Sequence, residues 1–243
     1  SIALLNFPNP NSIGRLNIYM KIYVGWDSRE DIAYQVCEHS IKRRDPNAEV
    51  VPLKQNDMRA QGIYTREKDK LASTEFTFTR FFIPYLNDYK GWAVFCDCDF
   101  LWKIPSTELQ QFCDPSKAVV CVQHDYKPKE TTKMDGQVQS VYPRKNWSSM
   151  VIWNCEHPKN KLLTPEFLND QTPKFLHRFS WLDDSEVGSM PHNYNWLVGW
   201  YQEPSDGKPK ILHYTEGGPW FDGYRDCEYA DDWKKEVINL FSA

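Results

Sequence analysis

The chain has 243 residues, and its 29 lysines and arginines against 33 aspartates and glutamates give a formal net charge of −4. This length suits one large or two small domains with a real core. A content of 41% hydrophobic and 26% charged residues is typical of a globular protein and excludes a disordered chain. The mild acidity argues against a nucleic-acid-binding protein. No apolar run approaches the ~20 residues that a membrane-spanning helix needs.

The seven cysteines predict free thiols. Four of them stand in apolar, strand-like runs, namely Cys96, Cys98, Cys121 and Cys155. The chain has no pair of C-x-x-C elements, which argues against a zinc knuckle. Buried thiols without a disulfide framework are typical of a reducing compartment, so we expect a cytoplasmic protein.

Residues 1–19 contain Pro8 and Pro10 and show no periodicity, whereas Met20 directly precedes a good strand. We expect residues 1–19 to be an N-terminal extension, natural or added for expression, and residues 20–243 to form one domain. The basic start and long apolar segment of a signal peptide are missing.

The first third of the chain predicts a strand, a helix and a strand. Residues 21–25 are β-branched and aromatic, which favours a strand. Residues 28–31 resemble a capping box, and apolar residues then recur at helical spacing up to Asp45. Residues 49–53 form the second strand. This order indicates an α/β fold.

The remaining elements continue this organisation. Ser73 or Thr74 can cap a helix through Leu86, and residues 92–96 form a buried strand that ends at Asp97. The polar segment 127–146 is long enough for a binding loop or lid. Later elements are strands at residues 118–122, 150–153 and 210–214 and an amphipathic helix at residues 231–241.

Asp97 and Asp99 are the most informative pair. An apolar strand delivers both carboxylates at its carboxyl end, where ligands bind in open α/β sheets. Residues two apart project to the same side of an extended chain, so both can address one ion. Oxygen ligands suit Mg²⁺ or Mn²⁺. The alternative is a pair of solvated acids, and the strongly apolar strand favours metal binding over it.

A second strand end carries His213, followed by Gly217, Gly218 and Trp220. An imidazole would bias an oxygen-rich site towards Mn²⁺. The two glycines allow backbone N–H groups to approach a phosphate closely. Alone, His213 would more often be a structural histidine, and the glycine-rich turn beside it favours a site.

The chain contains neither G-x-G-x-x-G nor G-K-[ST], so a nucleotide phosphate would have to meet a metal and basic side chains. After the first strand, Trp26 could stack on a base, and Asp27 could accept hydrogen bonds from a base or ribose. Arg80 could reach the phosphates; otherwise it is an ordinary surface arginine or the ion-pair partner of Glu75.

These segments, taken together from residue 21 to residue 220, resemble the GT-A glycosyltransferases. They are the first strand with Asp27, the run T-F-T-R-F-F-I-P-Y around Arg80, the run F-C-D-C-D-F-L, and the final H-Y-x-x-G-G-P-W. The chain is most similar to the family 8-like retaining enzymes, the relatives of bacterial lipopolysaccharide galactosyltransferases, glycogenin and the glycosyltransferase domains of large algal viruses. The resemblance implies a GT-A fold, with a mixed, mostly parallel sheet flanked by helices.

The resemblance also implies roles for individual residues. Metal ligands would be Asp97, Asp99 and His213; donor-binding residues would be Gly25, Trp26, Asp27, Arg80, Cys98, Ser148, Gly217, Gly218 and Trp220. Asp183 and Asp184 fall where the family places a polar segment beneath the anomeric carbon. Residues 146–149 replace the family's Asn-Ala-Gly, which leaves the sugar open, and the family's lysine in the final motif is missing.

The main hypothesis is transfer of a sugar from a UDP-sugar to a hydroxyl of a carbohydrate acceptor, with retention, in the presence of Mn²⁺ or Mg²⁺. Asp184, and after it Asp183, would flank the reacting carbon, and His124 and Asp125 would lie on the acceptor side. With inversion, Asp125 or Asp184 would become the general base. Peripheral membrane contact on a lipid-linked acceptor stays open.

Three alternatives stay open. A haloacid-dehalogenase-like, Mg²⁺-dependent phosphatase also uses an apolar strand followed by D-x-D, although its motif normally lies near the chain start. A sugar nucleotidyltransferase shares the α/β core, although its glycine- and lysine-rich loop is absent here. A tryptophan-rich carbohydrate-binding module would explain the 10 tryptophans but not the ordered acids and histidine.

Overall fold

The computed structural model describes residues 18–68, 70, 72–125, 143–202 and 208–242. Its strands are β1 (Met20–Gly25), β2 (Val50–Leu53), β3 (Trp92–Cys96), β4 (Phe100–Trp102), β5 (Val119–Cys121), β6 (Met150–Asn154), β7 (Val187–Ser189), β8 (Trp196–Leu197) and β9 (Ile211–His213). Its α-helices are α1 (Asp31–Arg44), α2 (Gln55–Ala60), α3 (Ile83–Leu86), α4 (Pro165–Asp170), α5 (Pro173–His177) and α6 (Ala230–Ser242).

The main sheet has six strands in the order β2-β1-β3-β6-β5-β7. The pairs β2–β1, β1–β3 and β5–β7 are parallel, and β6 runs antiparallel to both of its neighbours. The predicted mixed, mostly parallel sheet is therefore confirmed. All strands except β6 end at the same edge, which we call the carboxyl edge. Cys96, the last residue of β3, is paired with Met150, the first residue of β6, at this edge.

A small second sheet has the order β4-β9-β8. It begins only three residues after β3 ends, because Asp97, Cys98 and Asp99 form the turn between β3 and β4. The antiparallel register of β4 and β9 places Phe100 opposite His213. The backbone therefore brings the end of β9 beside the turn that carries the two acids.

The core explains why these segments became strands. The alternating and fully apolar runs predicted for β1, β3, β5 and β6 lose nearly all their exposure between the helices, as Val24, Val94, Phe95 and Ile152 show. Helix α1 buries Ala33, Val36, Cys37, Ser40 and Ile41, a set at helical spacing. The predicted strands at residues 118–122 and 210–214 and the predicted final helix are likewise confirmed as β5, β9 and α6.

Two predicted helix starts are wrong. The segment after Ser73 forms turns and then a 3-10 helix at Thr79–Phe82 followed by α3, instead of one helix from Ser73 or Thr74. Near α1, the N-cap residue is Glu30 and no side chain caps it; the Ser28 hydroxyl instead donates to Glu75. In both places long-range contacts outweigh the local signal.

All seven cysteines are free, as expected. In the described ranges the longest helices are α1 and α6, with 14 and 13 residues, and no helix there has the length and apolar character needed to cross a bilayer. Residues 1–17 of the predicted extension and residues 126–142, with most of the predicted loop, lie outside the described residues.

Glu236 ties α6 to α1. Its side chain is only 2% exposed and accepts hydrogen bonds from Arg43, Arg44 and His39 at 2.8–3.0 Å. Burial alone would raise the pKa of Glu236, but these bonds outweigh burial and lower it. The carboxylate therefore stabilises the fold only while it is ionised.

We predict that Glu236→Gln lowers the free energy of unfolding by about 2 kcal/mol at pH 7, since bonds between charged groups are lost. Because the pKa of Glu236 is lowered in the folded state, its contribution is fully present above the unfolded value of about 4.3 and fades as the pH falls through the lower folded value. Urea unfolding between pH 7 and pH 3 measures this. The control is Glu38→Gln, which removes a surface ion pair with Lys42 and should change stability by at most about 0.5 kcal/mol. Equal effects of both variants would contradict the prediction.

Candidate functional site

Asp97, Asp99 and His213 form a cluster at the carboxyl edge. One ligand atom from each residue lies within 4.8 Å of the others. Nε2 of His213 is 3.2 Å from Oδ1 of Asp99, and the imidazole stacks on Phe100 with ring centres 4.1 Å apart. The N–H of Tyr214 donates to the carbonyl of Asp99 at 2.9 Å, which extends the β4–β9 pairing to the cluster. The two predicted strand ends do meet.

The cluster contains carboxylate oxygen atoms that are available to bind a cation. Oδ1 of Asp97 and Oδ1 of Asp99 are both buried, and neither accepts a well-formed hydrogen bond from any described residue. Buried carboxylate oxygens are normally satisfied, because leaving them without a partner costs free energy. Two carboxylates and one imidazole are suitable ligands for Mn²⁺ or Mg²⁺. The residues present therefore fit a divalent cation.

Arg80 is the fixed cation beside the cluster. It is only 6% exposed, and Nη1 lies 2.9 Å from Oδ1 of Asp97. The carbonyls of Phe76 and Ser148 accept hydrogen bonds from it, and its guanidinium lies over the ring of Phe95. The alternatives of a surface arginine and of a pair with Glu75 are wrong, because the contacts with Asp97, Ser148 and Phe95 hold Arg80 inward. Burial raises the pKa of Asp97 to about 7, against the lowering effect of Arg80.

Asp27 is fully buried and its carboxylate accepts four hydrogen bonds. Three come from the backbone N–H and guanidinium of Arg29, and one comes from the N–H of Glu75. Burial would raise the pKa of Asp27, but these bonds lower it. Since a carboxylate has about four acceptor positions, a base or ribose could bind this group only by exchanging one of these partners.

Trp26 and Gly25 also have protein partners. The Trp26 indole N–H donates to Asp31 at 2.8 Å, and the Lys54 ammonium lies 4.5 Å from the centre of its ring. A Cβ atom at Gly25 would lie 2.5 Å from the ring of Phe76, so glycine is required by packing here. Stacking of a base on Trp26 would require Lys54 to move from that face.

The Gly217–Gly218 turn closes on aromatic rings. The N–H of Gly217 donates to the carbonyl of Tyr214 at 3.0 Å, so this amide is already occupied. A Cβ atom at Gly218 would lie 1.9 Å from the ring of Trp220. The Trp220 indole in turn donates to Glu30 at 3.2 Å.

Sequence reasoning missed Glu30 and His177. Burial raises the pKa of Glu30, and the charges of Asp99 and Asp27 raise it further, which places this carboxylate near the cluster. Nδ1 of His177 is 2.7 Å from the Ser148 hydroxyl, and burial lowers the His177 pKa to about 3. No motif marks either residue, since both are brought in by packing. Cys98 lies in the turn between the two acids; it is buried, and burial raises its thiol pKa.

The placement expected for Asp183 and Asp184 is wrong. Both residues precede β7, whose first residue, Val187, is paired with Val119 of β5. Val119 is in turn paired across β6 with Ala93, near the start of β3. Asp183 and Asp184 therefore lie towards the opposite edge of the sheet from Asp97, and three strand spacings, about 14 Å, separate β7 from β3. Asp184 is 94% exposed and pairs with Arg144.

His124 and Asp125 follow β5 at the carboxyl edge, and their acceptor-side role stays a prediction. Nδ1 of His124 contacts the hydroxyl of Tyr201, and the His124 carbonyl accepts from the Trp147 indole at 3.0 Å. Burial lowers the pKa of His124 to about 3, with a smaller effect of His213. Asp125 is exposed and lies next to residue 126, where the described residues stop.

The architecture is that of the GT-A glycosyltransferases. WbbM, a bifunctional glycosyltransferase, aligns with a TM-score of 0.63 at 16% identity over 93% of this chain and 52% of its own. GlyE of Streptococcus pneumoniae TIGR4 aligns with a TM-score of 0.59 at 14% identity over 92% of this chain and 63% of its own. An active-site mutant of LgtC aligns with a TM-score of 0.50 at 12% identity over 90% of this chain and 96% of its own. The chain thus spans about half of WbbM and less than two thirds of GlyE.

The chain belongs to the family of Protein CDI from Arabidopsis thaliana. The two sequences are 57% identical over 221 residues, which cover 89% of this chain and 85% of that protein. No family model matches the chain.

We predict that Asp99→Asn weakens Mn²⁺ binding by at least about tenfold, because a charged ligand atom becomes a neutral one. Isothermal titration calorimetry on the metal-free protein measures this. Asp57→Asn, which changes an exposed aspartate on α2, is the matched control and should bind like the wild type. Unchanged affinity in Asp99→Asn would remove this residue from the metal site.

Gly218→Ala should destabilise the protein by about 1–3 kcal/mol, since its Cβ atom forces Trp220 away from Glu30. The control is Gly223→Ala, where a Cβ atom would meet no described atom within 4 Å. Urea unfolding compares the two variants. A Gly218 variant as stable as the Gly223 variant would show that the turn adjusts without cost.

Proposed function

We propose that this chain is a metal-dependent glycosyltransferase that moves a sugar from a nucleotide diphosphate sugar, a UDP-sugar, to a hydroxyl of a carbohydrate or glycan acceptor. The observation that carries the proposal is the Asp97–Asp99–His213 cluster at the carboxyl edge of a GT-A fold. The choice of UDP rests on the family resemblance. The choice of Mn²⁺ over Mg²⁺ rests on that resemblance and on the imidazole ligand.

Asp97, Asp99 and His213 would hold the cation, which when bound would neutralise charge on the departing diphosphate. Arg80 adds a positive charge that three contacts already hold in place, so it needs no reorganisation during the reaction. Its bond to the Ser148 carbonyl joins this charge to the segment that enters β6. We assign Arg80 and Ser148 to the donor side. Cys98 also belongs to this side, because its buried side chain separates Asp97 from Asp99.

A cavity of about 290 Å³ supports a nucleoside position beside this site. Its lining includes Arg29, Gln55, Tyr64, Thr74, Glu75 and Phe78. Arg29 follows β1 and Gln55 begins the helix after β2, so the cavity lies at the carboxyl edge, one strand away from β3. A nucleoside here would direct its diphosphate towards Asp97. Gly25, Trp26 and Asp27 would support this position from the end of β1, where Asp27 accepts hydrogen bonds from the lining residues Arg29 and Glu75. Gly217, Gly218 and Trp220 would bound the diphosphate on the β9 side.

Asp125 and His124 are the acceptor-side residues of this proposal, because both follow β5 at the carboxyl edge. Asp183 and Asp184 have no role in it. We further propose retention of the anomeric configuration, from the family resemblance, and a cytoplasmic location, which the seven free thiols support.

The test is a panel of nucleotide sugars with Mn²⁺ and carbohydrate acceptors, followed by thermal shift and nucleotide release. We expect a UDP-sugar to stabilise the protein and to release UDP, with loss of turnover in EDTA and recovery with Mn²⁺. Asp97→Asn should lower kcat by about 100-fold or more, whereas Asp57→Asn should not. NMR of the product determines the anomeric configuration. A second assay measures turnover with a lipid-linked acceptor in vesicles.

Other outcomes would favour the alternatives. Pyrophosphate formed from UTP and a sugar phosphate would indicate a nucleotidyltransferase. Glycan binding that persists in EDTA without UDP would indicate a binding module, and phosphate trapped on Asp97 a phosphatase. An inverted product would overturn retention and make Asp125 the candidate general base.

A further inference from the structure

His213 presents its two ring nitrogens to two different partners. Nε2 is 3.2 Å from Oδ1 of Asp99, and Nδ1 is 3.0 Å from Oδ1 of Asn195. In a neutral imidazole only one nitrogen carries a proton, and only the other offers a lone pair to a metal. The partner of Nδ1 therefore decides whether Nε2 can act as a ligand.

A short hydrogen-bond series determines this proton. The Ser149 hydroxyl donates its single proton to the carbonyl of Asn146 at 2.6 Å, so towards Asn195 it can only accept. The Asn195 amide must then direct its NH₂ group to Ser149, at 2.9 Å, and its oxygen to His213. An amide oxygen can only accept, so the proton of His213 lies on Nδ1.

The series is enclosed and rigid. Asn195 is fully buried, and Ser149 and His213 are 3% and 2% exposed, so bulk water does not compete for these groups. The Asn146 backbone has φ +66°, a left-handed conformation uncommon outside glycine, and its carbonyl also accepts from the Ser149 N–H. A residue other than glycine keeps this left-handed conformation where the surrounding structure holds it.

We infer that Asn195 and Ser149 are positioning residues of the metal site: they keep the proton of His213 on Nδ1 and direct the Nε2 lone pair at the cation position. This rests on the proposed function for its metal. The Nε2 lone pair and the Asp99 oxygen then face each other with no proton between them, an arrangement that a shared cation stabilises. Groups that orient a ligating histidine typically change metal affinity by about 10–100-fold.

The test compares Asn195→Leu and Ser149→Ala with the conservative Asn195→Asp. The matched control is Asn193→Leu, a buried asparagine two residues away whose Oδ1 accepts no hydrogen bond among the described residues. Long-range ¹⁵N–¹H NMR of the metal-free protein reads the tautomer of His213, assigned by comparison with His213→Gln. Calorimetry with Mn²⁺ alone reads the affinity, and urea unfolding reads stability.

We expect the Nδ1–H tautomer in the wild type, in Asn195→Asp and in Asn193→Leu. Asn195→Leu should shift the tautomer towards Nε2–H and weaken Mn²⁺ binding by about 10–100-fold, Ser149→Ala should do so to a lesser extent, and Asn195→Asp should stay within about threefold of the wild type. If Asn195→Leu does not fold, Ser149→Ala and the wild-type tautomer still decide.

A wild-type His213 protonated on Nε2 would overturn this inference and leave the proposed function standing. A folded Asn195→Leu variant that binds Mn²⁺ like the wild type would do the same. A wild type that shows the Nδ1–H tautomer but no affinity for Mn²⁺ and no turnover would instead overturn the proposed function, and with it the metal part of this inference.

Discussion

The antiparallel pairing of β4 with β9 is the interaction on which the candidate site depends. It sets Phe100 opposite His213, only one residue beyond Asp99, and so joins two strand ends that are more than a hundred residues apart in the chain. The turn between β3 and β4 makes this pairing effective, because its three residues, Asp97, Cys98 and Asp99, keep both acids next to the start of β4. A shift of this register by one residue would reverse the face of His213 and disperse the cluster.

Charge compensation is the second constraint. Asp97 and Asp99 lie beside the buried Arg80, and Glu30 lies near Asp99, so the acids at the cluster outnumber its one buried arginine among the described residues. Burial is the main cause of the raised pKa values of Asp97 and Glu30, and the charge of Asp99 raises both further. Arg80 lies beside Oδ1 of Asp97 without a well-formed hydrogen bond to it, so Oδ1 of Asp97 and Oδ1 of Asp99 are both buried acceptors that a cation could use. This is an arrangement suited to a ligand, and a poor one for stability alone.

Much of the fold was predictable because its strands are short apolar runs with clear ends. The boundaries of β3 agree with the prediction, and those of β1, β5, β6, β9 and α6 agree to within one or two residues. The predicted helix through residues 73–86 was wrong in its first half, where Arg29, Gln55 and Asp27 hydrogen-bond to the backbone of residues 73 and 75. Local propensity cannot anticipate such long-range partners.

Asp183 and Asp184 illustrate the same limit at the site. Their order in the chain matched a family pattern, but an order of motifs does not state which edge of a sheet a residue reaches. Asp183 and Asp184 precede β7, and because β7 runs parallel to β5 it begins at the edge opposite the carboxyl edge. His177 and Asn195 show the converse, since neither belongs to a motif and both contact the residues around the cluster.

The sequence by itself determined the α/β class, the burial of the strand before Asp97, the two strand ends with side chains of the types that can bind a metal, and the free state of the thiols, because these follow from local pattern and composition. Only the tertiary structure decided that Arg80 faces Asp97, that Asp27 is saturated by Arg29 and Glu75, and that Asn195 faces His213. Each of these is a contact between side chains whose distance depends on strand order and register, and these properties arise only when the chain is packed.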